Sequence, residues 1–276
     1  MFNKSAFIGF LLFLSSCATV QERLENADTI ASNASMQKSE INAGEFVLTA
    51  YGRANKLGGD VNIYIEGDGF AAAARDRLSV NPTPRNPMGL MLAAKDNAPN
   101  VFYLARPCQY TSFDKNPNCE NKYWSGSRFA PQVIESMNIA VDKIKELSGA
   151  DKINLIGYSG GAAVSVILAS RRVDIATIRT VAGNLDHAAI NKYHRVDQLD
   201  NSLNPIDYAA KISDIPQYHF SGEKDNVVPV FIAEKFAKKS EQGKGCVKVS
   251  ALSGATHHKG WAENWKYLLS RPVVCG

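Results

Sequence analysis

Apolar residues recur with two different spacings along most of the chain. Short runs of β-branched, aliphatic and aromatic residues predict strands, and apolar residues three and four positions apart predict helices. The predicted strands span 45–52, 61–67, 101–105, 152–157, 177–183, 216–222 and 246–252. The predicted helices span 86–97, 127–147, 161–170, 230–239 and 261–269.

The alternation of these elements predicts an α/β fold with a mostly parallel central sheet, helices on both faces and right-handed crossovers. The apolar run KINLIG at 152–157 is typical of a strand buried on both faces of such a sheet. The first two predicted strands flank the Gly-rich stretch GRANKLGG, so we expect an N-terminal antiparallel hairpin there. Residues 183–215 interrupt the rhythm and are expected to form a long loop or a minimal cap.

The beginning of the chain has the pattern of an export signal. Lys4 precedes an apolar stretch over 6–14, which is shorter than the ~20 residues that a membrane-spanning helix needs. The sequence LSSC at 14–17 then resembles a bacterial lipobox. This resemblance implies that residues 1–16 are a lipoprotein signal peptide and that Cys17 carries lipid, including palmitate.

The lipobox resemblance also implies a location. Ala18, rather than Asp, follows the cysteine, and in such lipoproteins this favours the outer membrane. We therefore expect a lipid-anchored protein of the bacterial cell envelope, facing the periplasm or the surface. An ordinary secretory signal that contains a cysteine is the alternative. The polar residues 17–43 predict a tether to a folded domain over 44–276.

Cysteine usage fits an exported protein. Four of the five cysteines remain if Cys17 carries lipid, and an even number suits disulfides in an oxidising compartment. Of the three possible pairings, we favour Cys108–Cys119, which closes a loop rich in turn-forming residues, and Cys246–Cys275, which ties the C-terminus to a late strand. No metal site is expected, because the chain has no CxxC pair and no histidine at ligand spacing from a cysteine.

The distribution of charged residues along the chain limits the classes of molecule that it is expected to bind. The formal net charge of +4 is spread along the chain, and no run of Lys or Arg is longer than a pair. This distribution argues against nucleic-acid binding. Small molecules and a membrane remain the expected partners.

The sequence GYSGG at 157–161 matches G-x-S-x-G between a predicted strand and a predicted helix. A nucleophile on such a turn is held in a strained conformation, and the flanking glycines leave room for the close strand–helix crossing. The helix that follows presents free N–H groups to a developing oxyanion. The pattern therefore favours Ser159 as a nucleophile and Gly160 as an oxyanion donor, whereas a simple helix cap is the alternative.

With this motif, the chain resembles the α/β-hydrolase fold family over about residues 45–275. The family order of nucleophile, acid and histidine implies Asp225, in the G-x-x-D turn before a Val-Pro, and His257, in the sequence GATH. His258 is the alternative histidine. Asp186 is the alternative acid, since some family members carry the acid after the preceding strand.

A second oxyanion donor is expected from the loop IEGDGFAAA at 65–73. The family usually has His-Gly here, and this chain has Glu66-Gly67, so the resemblance implies Asp68 as the donor, with Gly69 or Phe70 as alternatives. Glu66 and Asp68 would place negative charge near the mouth of the site and disfavour anionic substrates. A capped, solvated turn is the alternative interpretation.

The resemblance implies a serine hydrolase, and we favour a carboxylesterase that acts on small-molecule or lipid esters through an acyl-enzyme. It implies no metal or organic cofactor. An amidase or peptidase that uses the same residues is one alternative. A non-catalytic envelope lipoprotein that retains the fold is another, because a fold does not determine function.

Overall fold

The computed structural model describes residues 19–74, 76–240 and 245–276. The predicted signal peptide at 1–16 and the predicted lipidation site Cys17 lie outside these ranges. No helix within the described ranges is both long enough and apolar enough to cross a membrane.

The strands and helices follow one another along the chain much as the hydrophobic pattern predicts. The strands are β1 (Gln37–Ala43), β2 (Phe46–Ala54), β3 (Asp60–Ile65), β4 (Ala72–Ala74), β5 (Arg77–Leu78), β6 (Asn100–Leu104), β7 (Lys152–Tyr158), β8 (Ile175–Val181), β9 (Gln217–Gly222) and β10 (Val247–Leu252). The helices are α1 (Val20–Asn33), α2 (Met88–Ala93), α3 (Pro131–Ser148), α4 (Gly160–Ala169), α5 (His187–His194), α6 (Phe231–Ser240) and α7 (Trp261–Ser270).

Eight of these strands form one mixed sheet in the order β1-β2-β6-β3-β7-β8-β9-β10. The strands from β6 to β10 in this order are parallel to their neighbours, and β2 is antiparallel to both β1 and β6. The short strands β4 and β5 form a separate antiparallel pair. The prediction of a mostly parallel central sheet is therefore confirmed.

Helices cover both faces of the sheet, and the strands alternate between them. In β3, Ile63 belongs to a buried cluster that also contains residues of α3, α4 and α6. Its neighbour Tyr64 belongs to a second cluster with residues of α1, α2 and α7. Because successive strand residues point to opposite faces, the sheet contributes side chains to a hydrophobic layer on each face.

The N-terminal hairpin exists, but its strands are not the predicted ones. β2 pairs with β1 across a turn at Gly44, whose φ is +72°, and β6 lies between β2 and β3. The predicted tether over 17–43 is therefore wrong from Val20 onward. Helix α1 begins in a capping box formed by Thr19 and Glu22, and β1 is an edge strand with mostly exposed residues.

The segment 183–215 forms no separate cap. It contains α5 and a 3₁₀ helix over Pro205–Ile212, which buries Ile206 and Ala209 in the same cluster as α4 and α6. The structure also contains the two favoured disulfides, Cys108–Cys119 and Cys246–Cys275.

Candidate active site

Ser159 lies on a sharp turn between β7 and α4. Its φ of 50° and ψ of −117° are unusual for a residue with a side chain, and such strain is often found at functional sites. The neighbouring glycines make the turn possible. A Cβ on Gly157 would lie 2.5 Å from the backbone of Ala162, and a Cβ on Gly161 would lie 2.1 Å from the carbonyl oxygen of Ile65.

Ser159, His257 and Asp225 form one continuous hydrogen-bond chain. Ser159 Oγ is 3.0 Å from His257 Nε2, and His257 Nδ1 is 2.9 Å from Asp225 Oδ2. The other carboxylate oxygen of Asp225 accepts 2.8 Å hydrogen bonds from the backbone N–H groups of Val227 and Val228. The carboxylate is thus fixed with one oxygen toward the imidazole, which sets the Nδ1–H tautomer at a neutral His257.

The two alternative residues, Asp186 and His258, have other hydrogen-bond partners. Asp186 caps α5 by accepting from Ala189 N–H, and its carboxylate also binds Asn204 and Lys235. His258 packs edge-on against His257, with ring centroids 4.8 Å apart, but its Nδ1 is paired with the hydroxyl of Tyr158 at 2.9 Å. Neither residue takes part in the chain from Ser159.

Two aromatic residues that the sequence interpretation did not single out hold the histidine loop. The Tyr158 hydroxyl and the Trp261 indole N–H both lie 3.0 Å from the carbonyl oxygen of His257. Tyr158 belongs to the motif GYSGG, and Trp261 follows the histidine of GATH by four positions. Their position beside the motif residues was visible, but their shared hydrogen-bond acceptor depends on the fold, which buries both residues in one cluster.

The loop after β3 lies directly over the serine turn. A Cβ on Gly160 would lie 2.1 Å from the carboxylate oxygen Oδ1 of Asp68, so the Asp68 side chain rests against the backbone of Gly160. Within the described part of the chain, the N–H groups of Asp68 and Gly160 donate to no protein acceptor. Both predicted donor N–H groups are therefore without a protein acceptor in the described residues, and the two residues are in contact. Gly69 has a φ of +68° beside them.

Asp68 is not a free negative charge. Its carboxylate is 2.7 Å from Arg128 and 3.4 Å from Arg106. Burial opposes ionisation of this carboxyl, but the two guanidinium charges outweigh it and hold its pKa below the usual range. Sequence interpretation missed both arginines, because they follow Asp68 by 38 and 60 positions.

Glu66 lines the cavity over Ser159, but it is not a solvated carboxylate either. Its side chain is buried, and its carboxylate accepts backbone hydrogen bonds from Gly67 at 2.9 Å and Gly89 at 3.1 Å. Burial raises its pKa to about 7, so at neutral pH it carries only part of a negative charge. Pairing of Asp68 and burial of Glu66 weaken the basis for the expected repulsion of anionic substrates.

A cavity of about 380 Å³ opens above Ser159 and His257. Its further lining includes Phe70, Pro84 and Arg85 from the segment between β3 and α2, together with Val227 and His258. In the described ranges, no group of three or more His, Cys, Asp or Glu residues is arranged to hold a metal ion.

No protein-family model and no curated protein sequence matches the chain. Solved structures do match its fold. An esterase from Pyrococcus furiosus has a TM-score of 0.61 at 17% identity and covers 86% of this chain and 92% of its own. Est1E from Butyrivibrio proteoclasticus has a TM-score of 0.55 at 16% identity and covers 84% and 97%. An acylaminoacyl peptidase from Pyrococcus horikoshii has a TM-score of 0.57 at 12% identity and covers 81% of this chain but 37% of its own.

The topology of the sheet and these likenesses together define the class of fold. The chain has the α/β-hydrolase fold, as its sequence motifs implied. At such low identity, the likeness assigns the fold and leaves the activity to be argued from the site.

Proposed function

We propose that the protein is a serine hydrolase, and specifically a carboxylesterase that acts through an acyl-enzyme. The observation that carries the proposal is the hydrogen-bond chain from Ser159 through His257 to Asp225 at a strained turn. The fold that it shares with an esterase supports the same reaction class.

In this mechanism, His257 Nε2 accepts the proton of Ser159 as Oγ attacks the ester carbonyl. Asp225 keeps the imidazole in the useful tautomer and stabilises the imidazolium that forms. The N–H groups of Gly160 and Asp68 stabilise the negative oxygen of the tetrahedral intermediate.

Collapse of this intermediate breaks the ester C–O bond, and His257 gives its proton to the leaving alcohol. A water molecule then attacks the acyl-enzyme while His257 again acts as the base, which releases the acid and restores Ser159. Every proton in these steps passes through the His257 imidazole, so the proposed mechanism uses no cofactor.

An amidase or peptidase that uses the same residues is the second candidate, and the fold shared with an acylaminoacyl peptidase favours it. A non-catalytic envelope protein is a weaker candidate. It gives no reason for the strain at Ser159 or for the fixed orientation of Asp225.

The direct test is hydrolysis of 4-nitrophenyl esters from acetate to laurate by the wild type and by Ser159→Ala. We expect activity that Ser159→Ala abolishes, with the chain-length profile reporting the size of the acyl pocket. A fluorophosphonate probe should label only the wild type. Labelling without ester hydrolysis would favour the amidase, and equal labelling of both proteins would contradict a catalytic Ser159.

We also propose that the protein is exported and anchored to the cell envelope through lipid on Cys17. The lipobox-like sequence at 14–17 supports this proposal. Cells that express the full chain and take up a clickable palmitate analogue should label the wild type but not Cys17→Ser, and the wild type should fractionate with outer membranes. Equal labelling of the two proteins, or none, would contradict the anchor.

A further inference from the structure

The charged groups around the cavity differ in whether they have partners. The carboxylate of Asp68 is paired with two arginines, and that of Glu66 is buried against backbone N–H groups. Arg85 is different. Among the residues that the structure describes, its guanidinium has neither a carboxylate partner nor a hydrogen-bond acceptor, and it lines the same cavity as Ser159.

Arg85 is oriented although its charge is unpaired. Its Cζ atom lies 3.9 Å from the centroid of the Phe70 ring, and this stacking limits the positions that the guanidinium can adopt. Stacking on the ring leaves the N–H donors at the edge of the guanidinium plane available to a ligand. Phe70 lines the cavity as well.

The backbone that carries Arg85 is fixed on both sides. Asn26 of α1 donates to the carbonyl oxygen of Arg85 at 3.4 Å. Two residues earlier, Thr83 N–H donates to Asn81 at 2.9 Å, and Thr83 Oγ1 accepts from the N–H of Tyr110 at 2.9 Å. The guanidinium therefore extends from an ordered segment.

A second donor accompanies Arg85. Asn86 lines the cavity too, and within the described ranges its side-chain amide has no partner. An amide and a guanidinium together offer several donors to one group of oxygen atoms.

We propose that Arg85, stacked on Phe70 and assisted by Asn86, forms a subsite for a carboxylate group of the substrate. The proposal rests on the proposed ester hydrolase activity and specifies its substrate as a small ester that also carries a carboxylate. The planar guanidinium matches the two oxygens of a carboxylate. Among the described residues that line the cavity, Arg85 is the one Lys or Arg, and a single positive charge suits a monoanion better than a dianionic phosphate.

The size of the cavity limits the substrate. A volume of about 380 Å³ lies near the lower end of ligand pockets, so a compact ester fits better than a long-chain lipid. The sequence interpretation expected a mouth that repels anions. The structure shows instead that Asp68 is paired with two arginines and that Glu66 is buried against backbone N–H groups, whereas Arg85 has no charged partner among the described residues.

The test compares isosteric esters with and without a negative charge. On the acyl side, mono-4-nitrophenyl adipate is compared with 4-nitrophenyl adipamate, and on the alcohol side 3-acetoxybenzoate is compared with 3-acetoxybenzamide. The readout is the ratio of kcat/KM for the anionic ester to that for the neutral ester, after subtraction of the Ser159→Ala rate. The proteins are the wild type, Arg85→Gln, Arg85→Lys and the control Arg171→Gln, which changes an exposed arginine outside the cavity.

We expect the wild type to prefer the anionic ester of at least one pair by about tenfold. Arg85→Gln should bring the ratio close to one, mainly through KM, and Arg85→Lys should restore it only in part because an ammonium cannot bind both oxygens side by side. Arg171→Gln should keep the wild-type ratio. The preference should also weaken at high ionic strength.

Two failures are distinguishable in this design. Hydrolysis of neutral esters that depends on Ser159, without a charge preference in either pair, overturns the subsite and leaves the proposed function intact. An equal ratio in the wild type and Arg85→Gln overturns it too. Absence of all Ser159-dependent ester hydrolysis overturns the ester substrate that both proposals share.

Discussion

The glycines around Ser159 explain why the five-residue motif G-x-S-x-G predicts the local backbone geometry. Gly157 and Gly161 each have a backbone atom where a Cβ would lie, and Ser159 itself has a positive φ. A turn under these restrictions is stable only when the surrounding strand and helix enforce it. The motif therefore predicts a local geometry, and that geometry exposes the hydroxyl.

Single substitutions can test the proposed role of Asp225 as the acid of the site. Asp225→Asn should lower kcat about 10³–10⁴-fold, because an amide that donates to His257 Nδ1 stabilises the wrong tautomer. Asp186→Asn should leave kcat close to the wild-type value but lower the thermal midpoint, because it weakens the cap of α5 and the pair with Lys235. Steady-state kinetics with a 4-nitrophenyl ester and a thermal melt measure both.

The reverse outcome would reassign the acid. A large loss of kcat in Asp186→Asn at an unchanged melting temperature, with Asp225→Asn near wild type, would contradict the role of Asp225. Each variant replaces one oxygen by nitrogen, so the comparison holds side-chain volume constant.

Residues with sequence signals were predictable, and those that act through distant contacts were not. Ser159, Asp225 and His257 stand in recognisable turns after strands. Arg128 and Asp68 are 60 positions apart, and nothing in the local sequence around either residue indicates that they form an ion pair. The charges around Ser159 therefore required the structure, whereas the choice of Ser159 as the candidate nucleophile did not.

At the scale of elements, the site follows from the ends of three parallel strands. Ser159 follows β7, Asp225 follows β9 and His257 follows β10. Because parallel strands end at the same edge of a sheet, loops far apart in sequence meet there. The resemblance to the α/β-hydrolase fold, which places the three residues at these strand ends, is what made their approach predictable.

The hydrophobic pattern did not predict β1, and the reason is physical. An edge strand with one solvated face has few apolar positions, and in β1 only Ile41 and Ala43 are buried. Its sequence QKSEINA therefore has the composition of a tether. The pairing with β2 is set by seven residue pairs across the turn at Gly44, and tertiary pairing of this kind overrides local pattern.

The two disulfides offer a matched test of elements near and far from the site. Cys108 lies beside Gln109, which donates to the carbonyl oxygen of Gly67 at 3.0 Å, and near Arg106, which pairs with Asp68. Loss of Cys108–Cys119 should therefore lower kcat several-fold as well as stability. Loss of Cys246–Cys275 should lower stability alone.

By loop-closure entropy, each pair of Cys→Ser changes should lower the free energy of unfolding by about 3 kcal/mol. Urea unfolding and ester kinetics on the two double variants separate the effects. Equal kcat in both variants would show that the Cys108–Cys119 loop does not position the oxyanion loop.

At the scale of the whole molecule, the buried Glu66 makes stability depend on pH. Its pKa is raised from 4.5 to about 7, chiefly by burial. Between these values the folded protein binds more protons than the unfolded chain, so the contribution of Glu66 to stability is full below pH 4.5 and is lost as pH rises through 7.

Comparison with Glu66→Gln isolates this contribution. At about 1.4 kcal/mol per unit of pKa shift, the free energy of unfolding of the wild type should fall by about 3 kcal/mol relative to Glu66→Gln on going from acidic to mildly alkaline buffer. Other buried groups, such as His219 with a pKa lowered by burial to about 3, are common to both proteins and cancel in the difference. Urea unfolding of the two proteins across this range measures it.

Parallel pH profiles would show that the pKa of Glu66 is not raised in the folded protein. Its negative charge would then stand close to the cavity at neutral pH, and it would compete with a substrate carboxylate for the field of Arg85. A falling profile instead leaves Arg85 as the dominant charge at the mouth. The stability measurement on Glu66 and the substrate preference of Arg85 therefore test the same electrostatic arrangement by independent readouts.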